Sequence, residues 1–149
     1  MTRMTHDPSL AFPGQPGGLA TSQDLVDLDA LLAAYHDRRP DPNIAAEQVA
    51  FGTSGHRGSA LDTTFNDDHI AAITQAIVEF RSDHGIDGPV LLGKDTHALS
   101  GPAERTAVEV LSANGVAVRI QGGDGITATP IISRAILAWN QSKTDADTG

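Results

Sequence analysis

Nine residues, Phe51-Gly-Thr-Ser-Gly-His-Arg-Gly-Ser59, carry three glycines, three hydroxyls and one arginine. Such a stretch suits an oxyanion. Backbone N–H groups in a glycine-rich turn can converge on a negative charge, and glycine lets the main chain come close. Thr53 and Ser54 add hydroxyl donors, and Arg57 adds a planar fork that matches phosphate oxygens. Charge-assisted bonds of that kind contribute about 1.5–3 kcal/mol each. The combination fits a phosphate better than a neutral sugar or a metal. A tight strand-exit turn with an exposed arginine would carry the same residues, and spacing alone does not separate the two.

Two other glycine patterns need weighing. Gly88-x-x-x-x-Gly93-Lys94 has the outline of a Walker A loop. Asp95 stands where that loop needs Ser or Thr, and the intervening Pro89-Val-Leu-Leu92 reads as a strand, which excludes it. Gly123-x-Gly125-x-x-Ala128 follows a strand and precedes a helix, with Asp145 and Asp147 about 20 residues on, as in a dinucleotide fingerprint. Pro130 as the first helical residue leaves those glycines too far ahead of the helix amides, and both acids fall in a polar tail. Dinucleotide binding stays open as a remote alternative.

The six histidines, at 6, 36, 56, 69, 84 and 97, show no metal-ligand spacing. His36, His69 and His84 are expected at solvated helix positions. His97, in GKDTHALS, follows a strand end, where α/β proteins place function. A post-strand turn with a local Asp95–Lys94 contact explains the same residues.

Ten Lys and Arg oppose nineteen Asp and Glu, a formal charge of −9. That surface repels phosphodiester backbones, so nucleic acid is not expected as a partner. Repulsion is screened beyond about 8 Å, so an anion site here has to be a local device. Without cysteine there is no disulfide framework, thiolate zinc site or thiol nucleophile. The first residues, MTRMTHDPSLAFPGQPGG, lack an apolar h-region, and no run of about 18 apolar residues occurs. A cytoplasmic protein without membrane contact is expected.

These residues need elements to hold them. Residues 1–20, rich in Pro and Gly, read as a mobile tail. Ser22 is expected to cap a first helix, with Leu25, Leu28, Leu32 and Tyr35 on one face and Pro40 and Pro42 beyond its end. Val49-Ala50-Phe51 reads as a strand running into the glycine-rich loop. Asn66 or Asp67 should cap a helix with Ile70, Ile73, Ile77 and Phe80 on one face, stopping at Gly85. The strand Pro89–Leu92, a helix capped by Ser100 and ended by Gly115, a strand Val116–Ile120 and a helix opened by Pro130 follow. Residues 141–149 are expected as a polar tail. Alternating strands and helices indicate an α/β layer with crossover helices.

The order VAFGTSGHRGS, FNDDHIAAITQAI, GKDTHALS, LSANGVAV and TATPIISRAIL, from about Gln48 to Asn140, resembles the first domain of the α-D-phosphohexomutase superfamily. TSGHRG resembles its bacterial phosphoglucomutase branch, whereas the glucosamine-phosphate branch typically carries TDGIRG. The resemblance implies a three-layer α/β/α domain over residues 21–140 with a small mixed sheet, its last strand or strands missing. It also implies a phosphoryl shuttle that interconverts glucose 1-phosphate and glucose 6-phosphate. A phosphoserine phosphorylates the sugar phosphate, and glucose 1,6-bisphosphate turns around and returns its other phosphate. Magnesium held by a later domain would assist.

By that resemblance Thr53, Ser54 and Arg57 pack beside the phosphoserine, with Arg57 as the cation facing the phosphoryl group. Gly55, His56, Gly58, Lys94 and His97 would support them. His97 stands where many members of the family have Arg. A TPSHNP-like serine loop is not found here, and neither Ser133 nor Ser142 has its context. No catalytic residue and no metal ligand is expected in this chain, which should be inactive without the remaining domains. A free-standing module that binds sugar phosphates without turnover is the alternative.

Overall fold

A computed structural model of the chain describes residues 19–22, 24–123 and 125–147. The expected tail lies largely outside the described residues. In chain order the elements are α1 (Leu28–Asp37), β1 (Phe51–Gly52), β2 (Gly55–His56), α2 (Asp67–Asp83), β3 (Val90–Leu91), α3 (Ser100–Ala113), β4 (Val118–Arg119) and α4 (Thr129–Asp147). Single 3₁₀ turns occupy Ala45–Glu47 and Ala60–Asp62. The fold class is α/β, as expected.

The first helix starts later than Ser22 suggests. Both the main-chain N–H and the hydroxyl of Thr21 donate to Asp24 Oδ2, each at 2.8 Å. That local turn delays the helix until Asp27, whose Oδ1 accepts the Ala30 N–H at 3.0 Å. The buried face shifts with it. Leu31, Ala34 and Tyr35 are buried, whereas Leu25 and Leu28 are exposed. Arg38 takes an extended conformation ahead of Pro40, which ends the helix where expected.

Around α1 gathers the core: Leu31, Ala34, Tyr35, Ala60 and Leu99, with Leu32, Phe65 and Ile70 packed against them. Two buried polar groups tie the helices across it. Asn66 Nδ2 donates to Ala34 O at 2.7 Å. The Tyr35 hydroxyl lies 3.0 Å from Thr106 Oγ1, which donates in turn to Asp67 Oδ1 at 2.5 Å. One hydroxyl proton each is enough, Tyr35 to Thr106 and Thr106 to Asp67. That chain joins α1, α2 and α3.

Helix α2 begins after Asn66 and packs along α3. Both helices end on a glycine with positive φ. At Gly85 (φ 62°) the Ile86 N–H returns to Arg81 O, and at Gly115 (φ 70°) the Val116 N–H returns to Leu111 O. These are Schellman closures, and only glycine adopts the required conformation at little cost. The expected α2 stripe is only partly covered, for Ile77 and Phe80 are exposed beside a hollow shared with Val49 and Phe51. Helix α3 also departs from expectation. Ser100 is its first residue rather than its cap, because the Ser100 hydroxyl is drawn to the Asp95 carboxylate.

The expected single mixed sheet is present as two separate ladders. β1 folds straight back on β2, pairing Phe51 with His56 and Gly52 with Gly55. β3 pairs in parallel with β4, Val90 with Val118 and Leu91 with Arg119, and α3 is the crossover. The glycine-rich turn makes the hairpin the shorter closure, so β1 takes its own return strand as partner. Residues 141–147, expected as a polar tail, continue α4. No proline or glycine interrupts residues 131–147, so nothing local stops the helix. The Arg119 guanidinium sits 4.0 Å above the Trp139 ring and holds α4 to β4. Among the described residues, no helix is long and apolar enough to cross a membrane.

Candidate functional site

The hairpin β1–β2 turns at Thr53 and Ser54, both exposed. Gly55 follows with φ 134°, a backbone conformation that a side chain disfavours. The return strand brings Arg57 back over the turn, where its Nη2 donates to Ser54 Oγ at 2.7 Å. Two turn hydroxyls and a guanidinium therefore share one exposed tip. Among the described residues the ion pairs are His36–Asp67, Arg39–Asp68 and Lys94–Glu104, so no carboxylate neutralises Arg57.

Thr64 is the seat of this loop, and nothing in the sequence marks it. His56 Nε2 lies 2.9 Å from Thr64 O. The Ser59 N–H donates to Thr64 Oγ1 at 2.9 Å, and the Thr64 N–H donates to Ser59 O at 3.0 Å. Gly58 lies so close that a Cβ there would overlap the Thr64 carbonyl and stand 2.6 Å from its side-chain oxygen. That glycine is required by close approach.

A groove of about 570 Å³ opens beside the loop. Arg57, Gly58 and Ser59 form one wall, Asp95, His97 and Ser100 the other, and Leu31, Phe65 and Leu99 are apolar lining. The loop and GKDTHALS, far apart in sequence, thus face a common space. Asp95 accepts from the Ser100 hydroxyl and from the His97 N–H, the latter at 2.9 Å. Those two bonds, the Ser100 hydroxyl first, hold its carboxyl below the usual carboxylate range. His97 Nδ1 accepts the Leu99 N–H at 3.1 Å, which leaves the proton of the neutral ring on Nε2.

Lys94 lies apart from this groove. Its ammonium pairs with Glu104 at 2.9 Å, largely out of solvent, so the expected contact with Asp95 is not formed. Its main-chain carbonyl accepts the Thr127 N–H at 2.9 Å and ties the TATP turn to GKDTHALS. His69 differs from expectation too. It is 2% exposed, with Nε2 2.7 Å from Glu47 O and Nδ1 accepting the Asn66 N–H at 3.2 Å. The glycines at 123 and 125 precede a helix that begins only at Thr129, so they contribute nothing to its first turn.

Chemically the groove sets the Arg57 cation and the Ser59 hydroxyl on one wall against the Asp95 carboxylate on the other, and Asp95 is already served by Ser100. The hydroxyls of Ser54, Ser100, Ser133 and Ser142 engage Arg57, Asp95 and main-chain carbonyls, none of them a histidine. Among the described residues, no group of three His, Asp or Glu could hold a metal ion.

Residues 48–147 match the family model for phosphoglucomutase/phosphomannomutase, alpha/beta/alpha domain I. A phosphoglucomutase from Komagataeibacter xylinus is 55% identical over 137 residues, covering 91% of this chain. The chain spans 24% of the length of that relative.

Proposed function

The chain belongs to the phosphoglucomutase/phosphomannomutase family, and we propose that it supplies the phosphoryl-holding wall of a longer phosphoglucomutase. The reaction is the interconversion of glucose 1-phosphate and glucose 6-phosphate. A sugar hydroxyl oxygen attacks the phosphorus of a phosphoserine, the bond from phosphorus to the serine oxygen breaks, and a glucose bisphosphate results. Its other phosphate then returns to the serine by the reverse displacement. Each displacement spreads negative charge over the three equatorial oxygens of the phosphoryl group in transit, and both groups pass through the same place beside the serine, so fixed donors there lower both barriers.

The observation that carries this reading is Arg57 on the groove wall, its Nη2 2.7 Å from Ser54 Oγ at the exposed turn and without an ion-pair partner among the described residues. Arg57 faces the phosphoryl group, and Thr53 and Ser54 complete the cradle. The serine that carries the phosphate belongs to the remainder of the longer enzyme. Magnesium would neutralise charge there, and the described residues offer it no site. By itself this chain is inactive in this reading, because turnover needs the serine and the remaining domains.

Arg57→Ala in the longer enzyme should lower turnover by about 10²–10³, the usual cost of losing one transition-state donor. Arg57→Lys should recover only part, because the two-pronged contact is lost. Steady-state assay of glucose 1-phosphate conversion checks both. Near-normal turnover in the alanine variant removes Arg57 from the site.

A further inference from the structure

Arg57 stands between two anchored neighbours. On one side, His56 has a main-chain partner at each ring nitrogen: Thr64 O at 2.9 Å from Nε2 and the Ala50 N–H at 3.2 Å from Nδ1. Only one neutral tautomer serves both. With the proton on Nε2, the ring donates to Thr64 and accepts from Ala50. The opposite tautomer could donate to Ala50 O, 3.1 Å from Nδ1, but would aim a lone pair at the Thr64 carbonyl. On the other side, Gly58 and Ser59 rest on the same Thr64. The His56 ring is also stacked, 6.0 Å from Phe65 at 6° and 5.1 Å from His69 at 16°. His69 is itself fixed to Glu47 and Asn66.

We propose that His56 is a positioning residue, whose imidazole, clamped on Thr64 and Ala50, fixes the backbone beside Arg57 and holds the guanidinium at Ser54 in the groove mouth. This rests on the phosphate reading of Arg57. The clamp costs the bound anion nothing, because the ordering is complete before it arrives. His56 touches no phosphate and acts through Arg57.

The test uses the whole chain, ¹⁵N-labelled, with inorganic sulfate as the probe. His56→Phe keeps a stacking ring and removes both hydrogen bonds. Thr64→Val removes the hydroxyl that receives Ser59, and Thr64→Ser keeps it. Sulfate should bind the unaltered chain and be lost in Arg57→Ala. His56→Phe should bind about tenfold more weakly, since small misplacements of a positioned group cost affinity and rate steeply. Relaxation measured without sulfate should show residues 53–58 more mobile in that variant. Thr64→Val should weaken binding at temperatures where it remains folded, and Thr64→Ser should restore it. Should His56→Phe not fold, the ring nitrogens of the unaltered chain decide: a His56 Nε2–H protected from solvent exchange by Thr64 O upholds the clamp, and a freely exchanging ring proton removes it. A folded His56→Phe that binds as tightly, with a rigid loop, overturns the proposal and leaves the phosphate reading standing. No sulfate binding by the unaltered chain overturns that reading instead, and the relaxation data then settle the clamp: a mobile loop in the variant upholds it, a rigid loop removes it.

Discussion

Arg57, Ser54 and Thr53 could be singled out in the sequence because hydroxyls, glycines and an arginine fall within nine residues, although an ordinary strand-exit turn would carry the same set. What made them a site was not visible. Thr64 lies beyond the glycine-rich stretch and has an ordinary residue type, yet the loop rests on its carbonyl and hydroxyl. Likewise, His69 has the spacing of a solvated helix residue and is buried by contacts with Glu47 and Asn66 that only the fold creates. Lys94, expected in a local contact with Asp95, pairs instead with Glu104, one turn into α3. Gly58 gives the sharpest residue-scale prediction. A Cβ there meets the Thr64 main chain, which cannot swing aside as a flexible side chain would. Gly58→Ala should therefore cost about 1–3 kcal/mol, read as a lowered denaturant midpoint. An unchanged midpoint would mean that the loop does not sit on Thr64.

At the scale of elements, endings were easier to read than beginnings. Gly85 and Gly115 must adopt positive φ to close their helices, and that demand is written in the residue type. The start of α1 was decided by competition between acids. Asp24 turns back on Thr21 and leaves the capping to Asp27, a choice that spacing does not reveal. Asp27→Ala should accordingly cost about 0.5–2 kcal/mol, whereas Ser22→Ala should leave the thermal midpoint unchanged. Equal effects of the two would return the cap to Ser22. The far end of α4 failed for the opposite reason. Polar composition through Asp147 suggested a tail, but without proline or glycine a polar segment can remain helical. Three strands were legible from the apolar runs, but Gly55–His56, inside the glycine-rich loop, was not, and neither was strand partnership. Val90–Leu91 needs the whole of α3 to bring Val118–Arg119 alongside, while Phe51–Gly52 finds its partner within one turn.

For the molecule as a whole, stability and site share one support. The chain from Tyr35 through Thr106 to Asp67 ties α1 to α2 and α3, and the core beside it carries Phe65 and Leu99, which line the groove. Tyr35 is fully buried, and that burial pushes its phenol from the ordinary 10.0 up to about 12, with the nearby Asp67 charge adding to the rise and the Thr106 bond opposing it. The sign follows from proton counting. Between these two values the folded chain keeps a phenolic proton that the unfolded chain has released, so stability falls as pH rises. The contribution is fully present below about pH 10 and disappears as pH climbs through the folded value, for a total on the order of 2–3 kcal/mol. Urea midpoints measured across that alkaline window should decline in the unaltered chain. Tyr35→Phe should be less stable at neutral pH by about 1 kcal/mol, from the lost bond to Thr106, and should show a shallower alkaline decline. Parallel curves for the two proteins would show that the phenol ionises without opposing the fold. A groove that disorders along the same alkaline curve would tie the wall carrying Arg57 to this buried hydrogen-bond chain, because Phe65 and Leu99 cannot keep their places once α1 leaves the core.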